Sequence, residues 1–316
     1  MGEPKERILW QACTDGDLET VKKLVCDESV NVNWADPEIE RTPFYRACGH
    51  GWIQIARHMM RNLRVDVMQP TTEGGVGISV ASFQGCLDVV SLLLGDPRID
   101  ANHPSGTGAT PISLACQQGH VELVPLLLAD PRVQPNTGKR DQTTPLWFAS
   151  QNGHLAVVQN LLASGREIDT RMVSLFNSKT AAEQGRLMTN APKQRYENDA
   201  DPPRRKINGP LCAALIDEYE GDPVAVRHRL RRQPGVREHF VGHLFALVVF
   251  HSDDFVVINE RASSFTRRFF KITSQLPLDL QMVLCNRVFG SPRDIILSKH
   301  SEPYFKCLAR STTWQQ

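Results

Sequence analysis

Residues 144–162, TPLWFASQNGHLAVVQNLL, contain one complete structural unit of this chain. Thr144 can cap a helix, and Pro145 suits its first turn, where a missing N–H costs nothing. Gly153 tolerates the positive φ that often ends a helix. Residues 155–162 then carry leucine and valine at a period of 3.6, which is typical of a helix with one buried face. The stretch predicts two short helices that must bury their apolar faces against neighbouring units.

The same unit recurs through the first half of the chain. Alanines lie at 12, 47, 81, 115 and 149, and glycines lie at 16, 51, 85, 119 and 153. The separations are 35, 34, 34 and 34 residues in both columns, and an apolar pair follows each glycine, from Leu24-Val25 to Leu161-Leu162. Five copies at one period predict a stack of repeats whose stability comes from contacts between neighbours.

The repeats resemble a known family. TPFYRACGHG (42–51), TPISLACQQGH (110–120) and TPLWFASQNGH (144–154) are similar to the ankyrin repeat, whose signature is TPLHxA followed by a Gly-His turn and a VVxxLL helix. The resemblance covers residues 5–168. The first unit (8–17) and the third (76–85) lack the Thr-Pro pair, and Pro125 fits the fourth unit only if its second helix begins near Val121.

Beyond the fifth repeat the pattern decays. Residues 169–188 hold half of a degenerate sixth unit, and 189–208 are polar and Pro-rich, as expected of a linker or long loop. Residues 209–316 show helical patterns without the 34-residue columns and predict a separate helical domain. The predicted fold class is all-α, an ankyrin solenoid followed by a C-terminal helical domain.

A second, shorter resemblance lies near the C-terminus. LPLDLQMVLCNRVFG (276–290) and two further short helical patterns resemble an F-box over residues 274–310. That family docks on the adaptor subunit of a cullin-type ubiquitin ligase, so the resemblance implies that Leu276, Pro277 and Leu280 engage such an adaptor. The tryptophan usual in the third F-box helix is missing at its expected place, and the nearest is Trp314.

Composition narrows the function classes. Lys and Arg number 36 against 35 Asp and Glu, which argues against a chain-wide nucleic-acid surface. The longest apolar run, 244–250, is far below the ~20 residues that span a bilayer, and the N-terminus lacks an apolar signal segment. We expect a cytoplasmic protein that is monomeric on its own and has no membrane or nucleic-acid partner. A basic run at 203–206 also suggests nuclear import.

The sequence offers few groups for catalysis. The eight cysteines have no zinc spacing, and neither a nucleotide-binding motif nor a metalloprotease motif is present, so we expect no enzyme activity, no cofactor and no metal. Asp253-Asp254 fits either an acid/base pair or a helix end. The basic run 227–232 fits either a solvated helix face or a patch for phosphate or an acidic partner. An enzyme within 209–316 stays a third hypothesis.

The ankyrin resemblance instead implies a protein-binding scaffold. Its contact positions precede each turn glycine and lie at the loop fingertips of the concave face. Phe83 would either anchor a partner or pack against the next unit, and both alternatives stay open. A substrate-recruiting subunit of a ubiquitin ligase is the alternative function. The predicted partner-binding residues are Asp15, Arg41, His50, Phe83, Gln84, Gln117, Gln118, Arg140, Asp141, Thr143, Gln151 and Asn152.

Overall fold

The computed structural model of the protein describes residues 4–188, 204–252, 269–270, 273 and 278–288. Within these residues the regular structure is helical, apart from one isolated bridge between Ser174 and Lys179. The chain forms two compact units. The first comprises residues up to 158 and 166–217, and the second comprises 159–165 and the chain from 218 onward.

The five predicted repeats are five helix pairs. The first helices of the pairs are α1 (Lys5–Asp15), α3 (Pro43–Gly49), α5 (Gly77–Gln84), α7 (Pro111–Gln118) and α9 (Pro145–Gln151). The second helices are α2 (Leu18–Cys26), α4 (Ile53–Met60), α6 (Leu87–Leu94), α8 (Leu123–Ala129) and α10 (Leu155–Ala163).

The predicted caps begin the helices as expected. The hydroxyls of Thr42, Thr110 and Thr144 accept hydrogen bonds from the backbone N–H three residues later, and a proline fills the next position. Helix α8 starts at Leu123, so Pro125 lies in the first turn, where an N–H has no intrahelical partner. The proline therefore leaves α8 intact.

Small side chains form the seam between repeats. Successive first helices pack on each other from α1 to α9, and Ala47, Ala81, Ala115 and Ala149 are fully buried in this seam. Cys13, Cys48 and Cys116 are also completely buried, and desolvation raises the pKa of each thiol. These cysteines pack as small apolar groups, as the repeat pattern predicted.

The sixth unit extends the array by one more first helix. Helix α11 (Ala181–Leu187) opens with a capping box between Thr180 and Glu183 and packs against α9. The following helix, α12 (Arg204–Gly221), begins inside the segment that the sequence assigned to a linker. Residues 204–208 are therefore helical, which corrects the predicted linker boundary. The predicted domain boundary at 209 also moves, because α12 belongs to the first unit as far as Asp217.

The second compact unit, at the C-terminal end of the chain, contains α13 (Pro223–Leu230), α14 (Arg237–Ser252) and α15 (Leu278–Val288). Asp222 caps α13, accepting from the N–H of Ala225, as the Asp-Pro pair predicts. Val241, Phe245, Val248, Phe270 and Cys285 form its buried cluster. Asp253-Asp254, Leu276, Pro277 and most of the F-box-like segment lie outside the described residues.

In the part of the chain that the structure describes, every helix is too short or too polar to cross a bilayer.

Candidate functional site

One position repeats along the array with an exposed side chain. Asp15, His50, Gln84 and Gln118 each lie at the C-terminal end of the first helix of their unit, and all four side chains are exposed. We call this row, with the fingertip loops beside it, the binding face. The sequence predicted these four residues, and the structure brings them into one register, one per repeat.

Phe83 belongs to the same face. The residue is 40% exposed, so part of it is accessible and part of it is covered by the protein. Its backbone carbonyl accepts a hydrogen bond from Nε2 of His120 at 2.8 Å. The neighbouring unit therefore fixes the Phe83 backbone while the ring stays accessible.

The histidines of the turns are structural. Nε2 of His154 lies 3.1 Å from the carbonyl of Gln117, which repeats the contact of His120 with Phe83. In the second unit Trp52 takes this place and donates from Nε1 to the carbonyl of Thr14 at 3.1 Å. These side chains connect each turn to the preceding unit, as expected of the ankyrin turn position.

At the fifth unit, residues of α12 bind to the turn of the binding face. The amide of Asn152 donates to the Gln117 carbonyl at 2.8 Å, and its Oδ1 accepts from Arg205 on α12. Asn208 donates to the carbonyl of Gly153 at 3.0 Å. The beginning of α12 thus covers the turn of the fifth unit, and Asn152 is engaged by the chain itself. Gln151 beside it is half-buried.

The residues at the loop fingertips include both exposed and buried side chains. Arg140, Glu38 and Ile39 are exposed. Thr143 is only 2% exposed, and its hydroxyl donates to the carboxylate of Asp141. Thr143 therefore shapes the loop instead of offering a contact to a partner, which corrects its assignment to the binding surface.

Sequence reasoning missed an apolar fingertip in the sixth unit. Leu175 and Phe176 are 65% and 75% exposed at the tip of the loop closed by the Ser174–Lys179 bridge. The N–H of Leu175 donates to the carbonyl of Asp141 at 2.7 Å, which fixes this tip beside the preceding one. Two adjacent large apolar residues in the degenerate sixth unit were the available signal.

A groove opens between the first helices of the second and third units. Its volume is about 390 Å³. The side chain of Val80 packs closely on the Gly49 backbone here, since a Cβ added to Gly49 would lie 2.9 Å from Val80 Cγ2. The side chains that line it include Arg41, Tyr45, Arg46, His50, Val80 and Gln84. Arg41, His50 and Gln84 were predicted from the sequence, whereas Tyr45 and Arg46 were not.

Trp10 of the first unit supports both arginines of this groove. The indole Nε1 donates to the carbonyl of Arg41 at 2.7 Å, and the guanidinium carbon of Arg46 lies 4.9 Å from the indole centroid. Nε of Arg46 also donates to Thr14 Oγ1 at 3.1 Å. Burial, reinforced by the neighbouring charge of Arg41, lowers the pKa of Arg46.

A column of arginines outside the face serves a different purpose. Arg64, Arg98, Arg132 and Arg166 recur every 34 residues, and each donates to backbone carbonyls of the preceding unit. Their acceptors include the carbonyls of Val25, Met60, Ile99 and Val133. The same period was visible in the sequence, and this column is a structural link between repeats.

The basic residues of the run 227–232 make contacts within the second compact unit. Val226 and Leu230 are buried, as the helical pattern predicted. Arg229 makes a two-pronged ion pair with Glu218, both bonds at 2.6 Å, and Arg231 donates to the carbonyl of Ala163 at 2.8 Å. These contacts favour the solvated, internally paired helix face over a patch for phosphate.

Comparisons with known proteins identify the repeats. Residues 78–172 match the family model for ankyrin repeats in three copies. The Drosophila melanogaster protein named "Ankyrin repeat and KH domain-containing protein mask" is 34% identical over 90 residues, which are 28% of this chain and 2% of that protein. This chain therefore spans only a small part of that relative.

A solved structure supports the fold. The crystal structure of EF0377, an ankyrin repeat protein, is similar to this chain with a TM-score of 0.52 at 21% identity, over 59% of this chain and 93% of that one. The predicted ankyrin repeats and the all-α solenoid are thereby confirmed. The comparisons do not show the F-box resemblance.

Proposed function

Because the chain carries ankyrin repeats, which form protein–protein interaction modules, we propose that it is a non-enzymatic scaffold that binds a partner protein or peptide on its binding face. One observation carries this proposal. Four successive units present an exposed side chain at the same position, namely Asp15, His50, Gln84 and Gln118. A buried seam holds these positions in a fixed register, so a partner meets a preorganised surface.

The exposed aromatic ring of Phe83 supplies an apolar anchor beside this polar row. Aromatic residues surrounded by polar groups are frequent sources of binding energy at protein interfaces. The polar side chains around it would set the register and exclude unsuitable partners. The fingertip of the sixth unit, with Leu175 and Phe176, adds a second apolar contact beyond the fifth unit.

Site-specific photo-crosslinking tests the proposal. A benzoylphenylalanine placed at Gln84 or at Gln118 should trap one and the same partner in cells. The matched control is Leu63, which is 91% exposed but lies after α4, outside the binding face. Equal capture from all three positions, or capture from position 63 alone, would show that the face is not the binding surface.

A substrate-recruiting role in a cullin-type ubiquitin ligase is the second proposed function. The observation that favours it is α15, a helix over Leu278–Val288 at the place of the first F-box-like helix. The adaptor would meet Leu276, Pro277 and Leu280. A pull-down with the purified adaptor should retain the wild type and lose a Leu276→Asp plus Leu280→Asp variant, and absence of wild-type binding would exclude this role.

A further inference from the structure

The side chains of Arg41 and Arg46 both line the groove between the second and third units. Arg41 lies 5.6 Å from the ring centroid of Tyr45, and Arg46 lies over Trp10. Among the described residues, no carboxylate lies within ion-pair distance of either guanidinium. Two like charges in a partly buried groove repel each other, and a bound anion would relieve this repulsion.

The other arginines of the array show how unusual this is. Arg98 and Arg132 are each paired with an aspartate at 2.6 and 2.7 Å and also bind carbonyl groups of the preceding unit. Arg64 donates to the carbonyls of Val25 and Val30. In the groove, by contrast, the described residues engage only Nε of Arg46, through the hydroxyl of Thr14. The remaining N–H groups of both side chains therefore offer donors to a ligand.

Aromatic side chains hold the arginines in place without neutralising them. Stacking on Trp10 and Tyr45 restricts the two side chains, so less rotamer entropy is lost when a ligand binds. The phenol of Tyr45 and the imidazole of His50 add neutral hydrogen-bonding groups at the edge of the groove. Two forked cations with neutral donors beside them match the bidentate geometry of a carboxylate.

We propose that this groove binds an acidic side chain, Glu or Asp, of the partner segment that lies on the binding face. Asp15 and Asp36 act electrostatically on Arg46, and Glu73 acts on Tyr45, so these nearby negative charges favour a ligand that brings a single carboxylate. An extended polyanion such as a nucleic-acid backbone would meet repulsion on leaving the groove. The inference rests on the proposed function, since it specifies what the partner brings to that face.

Binding of defined peptides to the full chain tests this proposal. The probes are a fluorescein-labelled twelve-residue peptide of alternating Glu and Ala, its counterpart with Gln for Glu, and a twelve-nucleotide oligouridine. We expect the Glu peptide to bind at least about tenfold more tightly than the Gln peptide and to weaken with added salt. Arg41→Gln and Arg46→Gln should each raise its Kd by about tenfold or more.

Arg61→Gln is the matched control, because it removes the same charge from an exposed arginine at the C-cap of α4, away from the groove. Circular dichroism confirms that each variant folds. Equal binding of the Glu and Gln peptides, no binding at about 1 mM, tighter binding of oligouridine, or an equal loss in Arg61→Gln would each overturn the inference. Unchanged crosslinking at position 118 in Arg46→Gln would contradict the groove assignment but leave the scaffold proposal intact. Absence of crosslinks at both Gln84 and Gln118 would contradict the scaffold proposal itself.

Discussion

The first helices of the third and fourth units have the same length, but the chemistry at their turns differs. Helices α5 and α7 both span eight residues and end at a glycine with φ near +80°. Thr110 caps α7, whereas α5 follows Val76, which makes no side-chain cap. The fourth unit covers the preceding turn with His120, and the third unit does so with Cys86.

Packing replaces capping in the third unit. Val76 is fully buried, and burial of a valine contributes about 1.5–3 kcal/mol against about 1 kcal/mol for a threonine cap. The absence of a Cβ at Gly77 lets Phe44 and Cys48 of the second unit approach closely. The departures of the third unit from the repeat signature thus lie at the interface that contains the arginine groove, while the fourth and fifth units keep the signature.

The largest expected difference in stability is between alanine substitutions at two turn glycines. A Cβ added to Gly85 would lie 2.6 Å from Cε1 of His120, whereas one added to Gly51 would lie 3.3 Å from Sγ of Cys86. Both glycines have φ of +76°, so alanine costs about 1–2 kcal/mol at either site. Gly85→Ala should lose about 1–2 kcal/mol more, because the imidazole must move. Urea unfolding followed by circular dichroism measures both.

A double variant controls this experiment. His120→Ala removes the obstructing ring, so Gly85→Ala should cost less in that background than in the wild type. Equal losses for Gly85→Ala and Gly51→Ala would mean that the turn histidine leaves room for a side chain, and the contrast between the two units would disappear.

The next comparison is between the contributions of two arginines of the column, Arg132 and Arg98, to the free energy of unfolding. Arg132 donates to the carbonyls of Leu94 and Ile99 and is paired with Asp130, which is 4% exposed. Arg98 donates to one carbonyl of the preceding unit, that of Met60. Arg132→Ala should lower the free energy of unfolding by about 2 kcal/mol and Arg98→Ala by about 1 kcal/mol, since hydrogen bonds of charged groups to buried partners are the stronger ones.

Arg132→Lys keeps the charge but not the fork that reaches two carbonyls, so it should restore only part of the loss. Full recovery with lysine, measured by the same urea titration, would show that charge alone decides the effect.

Sequence patterns predicted most of the repeat architecture. The five helix pairs, the turn glycines, the threonine caps and the tolerated Pro125 follow from local rules and the 34-residue period. The arginine column obeys the same period and was available to the same reasoning. The position of α12 was not, because the contact of Arg205 with Asn152 joins residues separated by a polar segment outside the period. Tyr45 and Arg46 were missed since the signature marks the ends of the first helices and not their middle.

Gly77→Ala tests whether packing has replaced the cap in the third unit. Alanine normally stabilises a helix by about 0.5–1 kcal/mol relative to glycine. Here the new Cβ would lie 3.0 Å from Cε1 of Phe44 and 3.1 Å from Sγ of Cys48, both buried. We expect a net loss of about 1 kcal/mol in urea unfolding. Gly221→Ala, with no atom within 4 Å of the added Cβ, is the control and should not destabilise. A stabilised Gly77→Ala variant would refute the packing explanation.

The smallest expected effect concerns the row of exposed residues on the binding face. The third and fourth units have Gln84 and Gln118 where the second unit has His50. Loss of hydration beside its neighbours and then the charge of Arg46 lower the pKa of His50 below its ordinary value. The folded state therefore binds fewer protons at this site than the unfolded state, so His50 removes stability as the pH falls from 7 through its ordinary pKa of about 6.5. His50→Gln, which installs the residue of the next two units, should reduce the loss of unfolding free energy between pH 7 and pH 5.

A titration of the His50 ring protons by NMR checks the cause directly, because the pKa of His50 should rise in Arg46→Gln. A His50 pKa at or above 6.5 in the wild type would contradict the placement of this imidazole beside the cationic groove.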